Sequence, residues 1–300
     1  DHINIFSFYQ NHFTSSFSRC FSLIFFFRYN SLMVKKQKKL GLALGSGGWR
    51  GLAHIGLIKE LQKNNIEISY IAGSSAGALV GGMYAAFGDI EKVEAIFREN
   101  MSYRRLLYTF SDPKPRWGVF GGDKMEDLFK KYLGNRRIED LKIPFCALAC
   151  DLLTGKVVEL KKGNLSKAIH ASAAVPFFLQ PVQWGKMRLI DGGTAVPIPV
   201  KTVKQMGAEV VIAVNLQKNH FPMTDHKISA FKTVLKTSQV MLYHLAQYSQ
   251  QPADLVLYPD IDEKGDYNNP FVGFVNRGDV LDDGEKVVRD NIQKIKELLA

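Results

Sequence analysis

The chain has 300 residues, of which 46% are hydrophobic and 23% charged, and its formal net charge is +10. This composition excludes a disordered protein and suits one large α/β domain or two small ones. The positive charge favours anionic partners, but no zinc finger, RNA-reading motif or sustained basic helix supports nucleic-acid binding. The three cysteines, Cys20, Cys146 and Cys150, are too few for a disulfide framework. No Cys or His pair has zinc-ligand spacing, so we expect buried thiols and no metal.

The first 32 residues differ from the rest of the chain. They are rich in Phe and Ser, and their apolar run at residues 21–27 is too short to cross a bilayer. No small-residue cleavage site follows this run, and Met33 begins a segment that reads like a protein start. We interpret residues 1–32 as an N-terminal extension that is disordered or not native, with a membrane-contacting segment as the alternative. Residues 33–300 are then predicted to form a single domain.

The first strand–loop–helix unit contains a glycine-rich loop. An apolar strand at residues 40–44 leads into the loop at residues 45–51, and a helix is predicted over residues 52–62. A dinucleotide fingerprint is excluded because Arg50 stands where its third glycine belongs, and a P-loop is excluded because G-K-[ST] is absent. What remains is a concave row of backbone N–H groups, which suits a phosphate or the oxyanion of acyl transfer.

The second unit carries the pentapeptide G-S-S-A-G at residues 73–77. An apolar strand precedes it, and apolar residues spaced as on one face of a helix follow it up to Phe87. In this context the tight turn exposes the Ser75 hydroxyl at the carboxyl end of a strand, facing the N-terminus of the helix. The pattern therefore predicts a nucleophile elbow centred on Ser75.

Strands and helices continue to alternate along the rest of the chain. This alternation predicts an α/β fold in which a mostly parallel central sheet lies between two layers of helices. In the helix predicted over residues 228–248, the apolar side chains expected to face inward are Phe231, Val234, Leu235, Met241, Leu242 and Leu245. Strands are predicted over residues 143–151, 157–160, 188–190, 210–215 and 255–258, and helices over residues 90–100, 124–133 and 165–174, with a last helix lined by Val288, Ile292, Ile295 and Leu299.

Several polar residues near these elements have a structural interpretation. His54 shares a helix face with Leu57 and Ile58, which favours a packed histidine, and His170 is given a structural role for a similar reason. Asp151 is interpreted as part of a hairpin turn. Asp191 follows a short strand and precedes two glycines, so it is as consistent with a turn as with a catalytic group.

Four segments together resemble the patatin-like phospholipase family, especially its short bacterial members. They are G-S-G-G-W-R-G-L-A-H-I-G at residues 45–56, G-S-S-A-G at 73–77, A-S-A-A-V-P-F-F at 171–178 and D-G-G at 191–193. Their order and spacing match the family over about residues 40–214. Each segment alone is weak evidence, but the combination is specific.

The resemblance implies a three-layer serine acyl hydrolase that acts on lipid esters, of the phospholipase A, lysophospholipase or esterase type, with no cofactor. Ser75 carries over as the nucleophile and Asp191 as the base of a Ser–Asp dyad. The glycine loop and the residue after the nucleophile carry over as the oxyanion hole, with the N–H groups of Gly47 and Gly48 as the expected donors and Arg50 as a residue that holds the loop. The full oxyanion set is Gly45, Gly47, Gly48, Trp49, Arg50, Gly51 and Ala76.

A lipid substrate and a basic surface imply peripheral contact with anionic membrane, so we expect a cytoplasmic protein at the inner membrane face. Two alternatives stay open. The first is an α/β-hydrolase triad of Ser75 and Asp191 with His220, His226 or His244, which the chain order allows. The second is a catalytically silent lipid-binding protein on the same fold.

Overall fold

The computed structural model describes residues 37–109, 120–217, 230–261 and 277–300. The described residues between Lys38 and Leu299 belong to one compact unit. The predicted extension at residues 1–32 lies outside the described ranges. Among the helices within them, none combines the length and apolarity needed to cross a bilayer.

The described ranges contain one eight-stranded sheet. Its strand order is β5-β6-β3-β2-β1-β7-β8, and β4 pairs with β3. The strands are β1 (Leu40–Leu44), β2 (Ile68–Ser74), β3 (Phe145–Asp151), β4 (Val157–Leu160), β5 (Val182–Trp184), β6 (Met187–Asp191), β7 (Val210–Val214) and β8 (Leu255–Leu257). Four neighbouring pairs are parallel: β3 with β2, β2 with β1, β1 with β7, and β7 with β8. Strands β4 and β6 run antiparallel to β3, and β5 runs antiparallel to β6. The predicted mostly parallel sheet is confirmed, with an antiparallel extension at one side.

Helices cover both faces of the sheet because the central strands are apolar on both sides. Leu40, Leu42 and Leu44 pack in one core cluster, and Ala43 packs in a second cluster on the opposite face. The nine described α-helices are α1 (Ala53–Lys63), α2 (Ala76–Phe87), α3 (Ile90–Asn100), α4 (Tyr103–Thr109), α5 (Asp123–Leu133), α6 (Leu165–Ser172), α7 (Val200–Gln205), α8 (Ala230–Ser249) and α9 (Gly278–Leu299). Buried residues of α1, α2, α3, α5, α6 and α9 join the first cluster, and those of α7 and α8 join the second. The three-layer prediction is confirmed.

The inward face predicted for α8 is wrong at two positions. The side chains of Val234 and Met241 are exposed, Met241 by 66%, whereas Ala246 is fully buried. Leu242 and Leu245 are half-buried, and the side chains of Phe231 and Leu235 lie outside the described part. The periodicity of apolar residues was correct for a helix, but it did not identify which face the sheet covers.

Helices α1 and α9 cross at very short range. A Cβ added to Gly56 would collide with the Leu281 carbonyl oxygen, and one added to Gly284 would collide with the Ala53 carbonyl oxygen. The two glycines therefore allow the helix backbones to touch, which fixes α1, the helix that follows the glycine loop.

Replacing Gly56 with Ala should lower the free energy of unfolding by about 1–3 kcal/mol, because the new methyl group meets backbone that cannot move aside. Gly278→Ala at the start of α9 is the matched control, since a Cβ there meets open space. Urea denaturation of both variants measures the difference. Equal stability of the two variants would contradict the close crossing.

Candidate active site

Ser75 occupies a strained turn between β2 and α2. Its backbone φ of 55° and ψ of −119° are unusual for a residue with a side chain, and it is only 7% exposed. The turn is tight because of its glycines. A Cβ on Gly73 would collide with the backbone of Gly77, and one on Gly77 would collide with the Leu44 carbonyl. The predicted elbow geometry is present, with the N-terminus of α2 directly after Ser75.

Strand β3 brings Asp191 to Ser75. Ser74 at the end of β2 pairs with Leu148, and the next residue of β3, Ala149, pairs with Asp191 at the end of β6. The two predicted catalytic residues, 116 positions apart, therefore meet at one edge of the sheet. The Ser75 hydroxyl lies close enough to the Asp191 carboxyl to act on its pKa, which it lowers.

The Asp191 carboxyl is also held by its own turn. Its Oδ1 accepts a hydrogen bond of 2.7 Å from the N–H of Gly193, and its backbone N–H donates to the Ala174 carbonyl at 2.9 Å. A Cβ on Gly192 would collide with the Leu148 carbonyl, so this turn needs glycine to lie against β3. These contacts fix the carboxyl in position beside the serine.

Burial dominates the ionisation of Asp191. It raises the pKa of the carboxyl from 3.8 to about 6, although the Ser75 hydroxyl and the Gly193 N–H both act in the opposite direction. A carboxylate with this pKa is a better proton acceptor than an exposed aspartate and is still ionised at neutral pH.

Some backbone N–H groups of the glycine loop next to Ser75 donate within the protein, and others have no backbone acceptor among the described residues. Those of Gly45 and Arg50 already donate within the protein, to Val214 at 3.1 Å and to Gly47 at 3.2 Å. In the described part of the chain, no backbone acceptor takes the N–H groups of Gly47, Gly48 or Trp49. The set of donors able to face a ligand is therefore smaller than the predicted set.

The remaining predicted residues bring the loop against the elbow. Ala76 begins α2, so its N–H lies at a helix N-terminus beside Ser75. A Cβ on Gly51 would collide with that of Ala76, so Gly51 contributes by its missing side chain. Gly48 has a φ of +56°, which favours glycine there.

Three side chains hold the glycine loop in place. His54 Nε2 donates to the Gly45 carbonyl at 2.8 Å, and burial lowers the pKa of this imidazole to about 4, so it is neutral at pH 7. Arg50 Nη1 donates to the Leu216 carbonyl at 3.0 Å, and Gln217 Nε2 donates to that of Ser46 at 2.8 Å. The structural interpretation of His54 and the loop-holding contact of Arg50 agree with these contacts.

Sequence reasoning missed two contacts of the elbow. The Ser75 N–H donates to Ser172 Oγ at 3.0 Å, and the Ser74 hydroxyl donates to the Val196 carbonyl at 2.5 Å. Both acceptors lie about 100 positions away in sequence, so no local pattern indicates them. The only available signal was the position of Ser172 within a run of small residues.

Of the described histidines, His54 and His170 are hydrogen-bonded to other groups and His244 is exposed. His170 Nδ1 lies 3.1 Å from Glu126 Oε2, which lowers the pKa of that carboxyl to about 2, and His244 is exposed on α8. His220 and His226 lie outside the described residues. Asp151 forms the predicted hairpin turn, in which its carboxylate accepts from the Thr154 hydroxyl at 2.7 Å. A search of the described residues finds no cluster of three His, Cys, Asp or Glu suited to a metal.

The fold and the site define the class of protein. The model of the patatin-like phospholipase family matches residues 42–204, which is more than half of the chain. The chain belongs to the patatin-like phospholipase family.

Individual relatives agree with this assignment. An uncharacterized NTE family protein of Mycobacterium tuberculosis is 39% identical over 178 residues, which are 59% of this chain and 49% of that protein. Lysophospholipase NTE1 of Debaryomyces hansenii is 27% identical over 199 residues, which are 61% of this chain and 12% of that protein. The chain thus spans about half the length of the mycobacterial relative.

Among solved structures, VipD from Legionella pneumophila aligns with a TM-score of 0.43 at 12% identity, over 85% of this chain and 67% of its own. The type III effector protein ExoU aligns with the same TM-score at 13% identity, over 86% of this chain and 53% of its own.

Replacing Asp191 with Asn should raise the free energy of unfolding at about pH 8 by up to about 3 kcal/mol and change it little at about pH 3. The folded-state pKa of about 6 exceeds the ordinary 3.8. Ionisation of the buried carboxyl therefore destabilises the folded wild type as pH rises from about 4 to 6. Urea denaturation at both pH values measures this. If the variant were less stable than wild type at the higher pH, this would contradict the raised pKa of the buried Asp191 carboxyl.

Proposed function

We propose that this protein is a serine acyl hydrolase that cleaves lipid esters, with Ser75 as the nucleophile and Asp191 as the base. The observation that carries the proposal is the buried Asp191 carboxyl, which the strand register places beside a serine on a strained strand-to-helix turn. A serine hydroxyl is a weak nucleophile until a base within hydrogen-bond reach takes its proton, and this pair meets that need.

In the first half of the reaction, Ser75 Oγ attacks the ester carbonyl carbon while its proton passes to the Asp191 carboxylate. The carbonyl oxygen becomes an oxyanion in the tetrahedral intermediate. The bond to the leaving alcohol then breaks, and the alkoxide takes the proton from Asp191. The products are an acyl-Ser75 and a free alcohol, which is a lysolipid or a glycerol-containing head group.

In the second half, a water molecule attacks the acyl carbon while Asp191 takes its proton. Collapse of the second tetrahedral intermediate releases the fatty acid, and the proton returns to Ser75 Oγ. The raised pKa of Asp191 suits both directions of transfer, because a carboxyl with a pKa of about 6 can gain and lose a proton near neutral pH.

The oxyanion needs fixed donors, and we assign this role to the N–H groups of Gly47, Gly48 and Ala76. The two glycine amides lack a backbone acceptor in the described structure, and Ala76 lies at the N-terminus of α2. Each well-placed donor lowers the barrier by about 3–4 kcal/mol in comparable sites. The contacts of His54, Arg50 and Gln217 would keep these donors aligned before the substrate arrives.

An apolar cleft beside the donors favours an acyl substrate. It has a volume of about 20 Å³ and is lined by Trp49, Leu79, Val80, Phe97 and Met101 next to Ala76. A cleft this narrow accepts a chain only if these side chains move. The name of the yeast relative, a lysophospholipase, supports a lipid with a single acyl chain as one substrate to test.

Ser75→Ala should lower the turnover of a short-chain p-nitrophenyl ester by ~10⁴-fold or more, and Asp191→Asn should lower it by a similar factor. For wild type, kcat/KM should rise with pH through about 6 and then level off, since protonated Asp191 cannot accept the serine proton. Release of p-nitrophenol measures both effects. Equal turnover by wild type and Ser75→Ala would reject the proposed enzymatic activity and favour a catalytically silent lipid-binding protein.

Mass spectrometry of a mixed lipid extract then identifies the substrate class. Lipids that wild type consumes and Asp191→Asn spares are substrates of the site, because the two proteins receive the same extract and differ only at residue 191.

Replacing the histidines distinguishes the Ser–Asp dyad from the histidine triad, because only the triad requires an imidazole. If the dyad operates, His220→Ala, His226→Ala and His244→Ala should each be phosphonylated at Ser75 by a fluorophosphonate, with loss of fluoride, at a rate within about threefold of wild type, because no imidazole takes part. Labelling with a fluorophosphonate, followed by intact mass, measures the rate, with Ser75→Ala as the unlabelled control. Loss of labelling in one histidine variant would replace the dyad by a triad.

A further inference from the structure

The antiparallel side of the sheet extends beyond the site. Ser75 lies level with Ala149, because Ser74 pairs with Leu148, but the chain of β3 continues to Asp151 before it turns. At about 3.3 Å per residue, Leu152 lies about 10 Å further along the strand direction than Ser75. The register continues across β6, since Leu152 N–H donates to the Arg188 carbonyl at 2.8 Å. The hairpin between β3 and β4 therefore projects past the edge at which Ser75 and Asp191 meet.

This projection is apolar where a surface turn would ordinarily be polar. We call it the arm tip and define it by Leu152, Leu153, Lys156, Val157 and Lys186. Its three apolar side chains are all exposed, Leu153 by 65%. The turn itself is rigid, because the Asp151 carboxylate accepts from the Thr154 hydroxyl and from the N–H groups of Leu153 and Arg188. Exposure of the leucines is thus a property of a fixed turn.

The charges of the arm tip are positive. Lys156 lies opposite Asp151, since its carbonyl accepts from Asp151 N–H, and Lys186 is two residues before Arg188, whose carbonyl accepts from Leu152 N–H. Both lysines are exposed, and no salt bridge to an acidic side chain is found for either within the described ranges. The nearby acidic group, Asp151, is buried and satisfied by its own turn.

Exposed leucines flanked by unpaired lysines suit the surface of an anionic membrane. Leucine side chains enter the boundary between head groups and acyl chains, while ammonium groups remain at the level of lipid phosphates. A protein partner would more often present an acidic, less deformable surface. The net charge of +10 adds a long-range attraction to the same partner.

We propose that the arm tip docks this protein on anionic membrane. Ser75 then lies about 10 Å from the plane in which the leucines contact the membrane. Two further exposed apolar side chains border the site, Val175 and Phe177, in the turn whose Ala174 carbonyl accepts from Asp191 N–H. The inference deepens the proposed function and rests on it for its purpose, but it is measured as binding alone.

The test is cosedimentation with vesicles of phosphatidylcholine, with and without phosphatidylglycerol, in a Ser75→Ala background that prevents turnover. The parent should bind the phosphatidylglycerol vesicles more tightly. Leu153→Asp should weaken that binding by roughly tenfold, because a leucine is lost from the interface. Lys156→Ala and Lys186→Ala should weaken it by roughly fivefold each and reduce its sensitivity to salt.

Met241→Asp is the matched control, because Met241 is exposed to the same extent, 66%, on α8. It should leave vesicle binding unchanged, and with Ser75 intact both aspartate variants should keep wild-type turnover of a short-chain p-nitrophenyl ester. Parent-like binding by Leu153→Asp, an equal loss in Met241→Asp, or no binding by the parent would each overturn the docking surface. Vesicle binding without ester turnover would instead reject the proposed function and leave the docking surface standing.

Discussion

The contact between the Asp191 carboxyl and the Ser75 hydroxyl depends on a single strand. Strand β3 pairs with β2 over its first half and with β6 near its end, so it fixes both side chains at one level of the sheet. The carboxyl is buried enough that burial outweighs both the Ser75 hydroxyl and the Gly193 N–H in setting the pKa of Asp191. A carboxyl that is destabilised as an anion is a stronger base, and the rest of the fold supplies the stability this arrangement costs.

The glycine loop is fixed by close packing and by side-chain hydrogen bonds. Its backbone approaches β7 and α2 so closely that Gly45 and Gly51 have no room for a side chain. His54, Arg50 and Gln217 bind carbonyl groups in and around the loop, and the N–H groups of Gly47 and Gly48, which we propose as oxyanion donors, have no backbone acceptor within the described residues. Rigid donors need no reorganisation when negative charge develops, which is the main requirement of an oxyanion hole.

The antiparallel extension adds to the parallel core the strand that carries Asp191, the proposed base. Parallel strands place the loop and the elbow at one carboxyl edge, whereas β6 returns in the opposite direction and contributes Asp191 to that edge. The same extension carries exposed leucines and lysines beyond the site. The proposed base and the proposed membrane-docking surface therefore both depend on one local change of strand direction.

The sequence alone predicts most of the elements and the two local motifs. Periodicity and glycine positions are local signals, so seven of the eight described strands, the glycine loop and the Ser75 turn could be predicted within a few residues, and the family resemblance singled out Asp191. The short elements β5, α4 and α7 were not predicted. The folded structure was needed to show that Asp191 lies beside Ser75, that Ser172 accepts the Ser75 N–H, and which loop amides are already bonded. It also decided that Val234 and Met241 of α8 face outward. The physical reason is that these outcomes depend on strand register and helix packing between distant segments, which no local pattern of residues encodes.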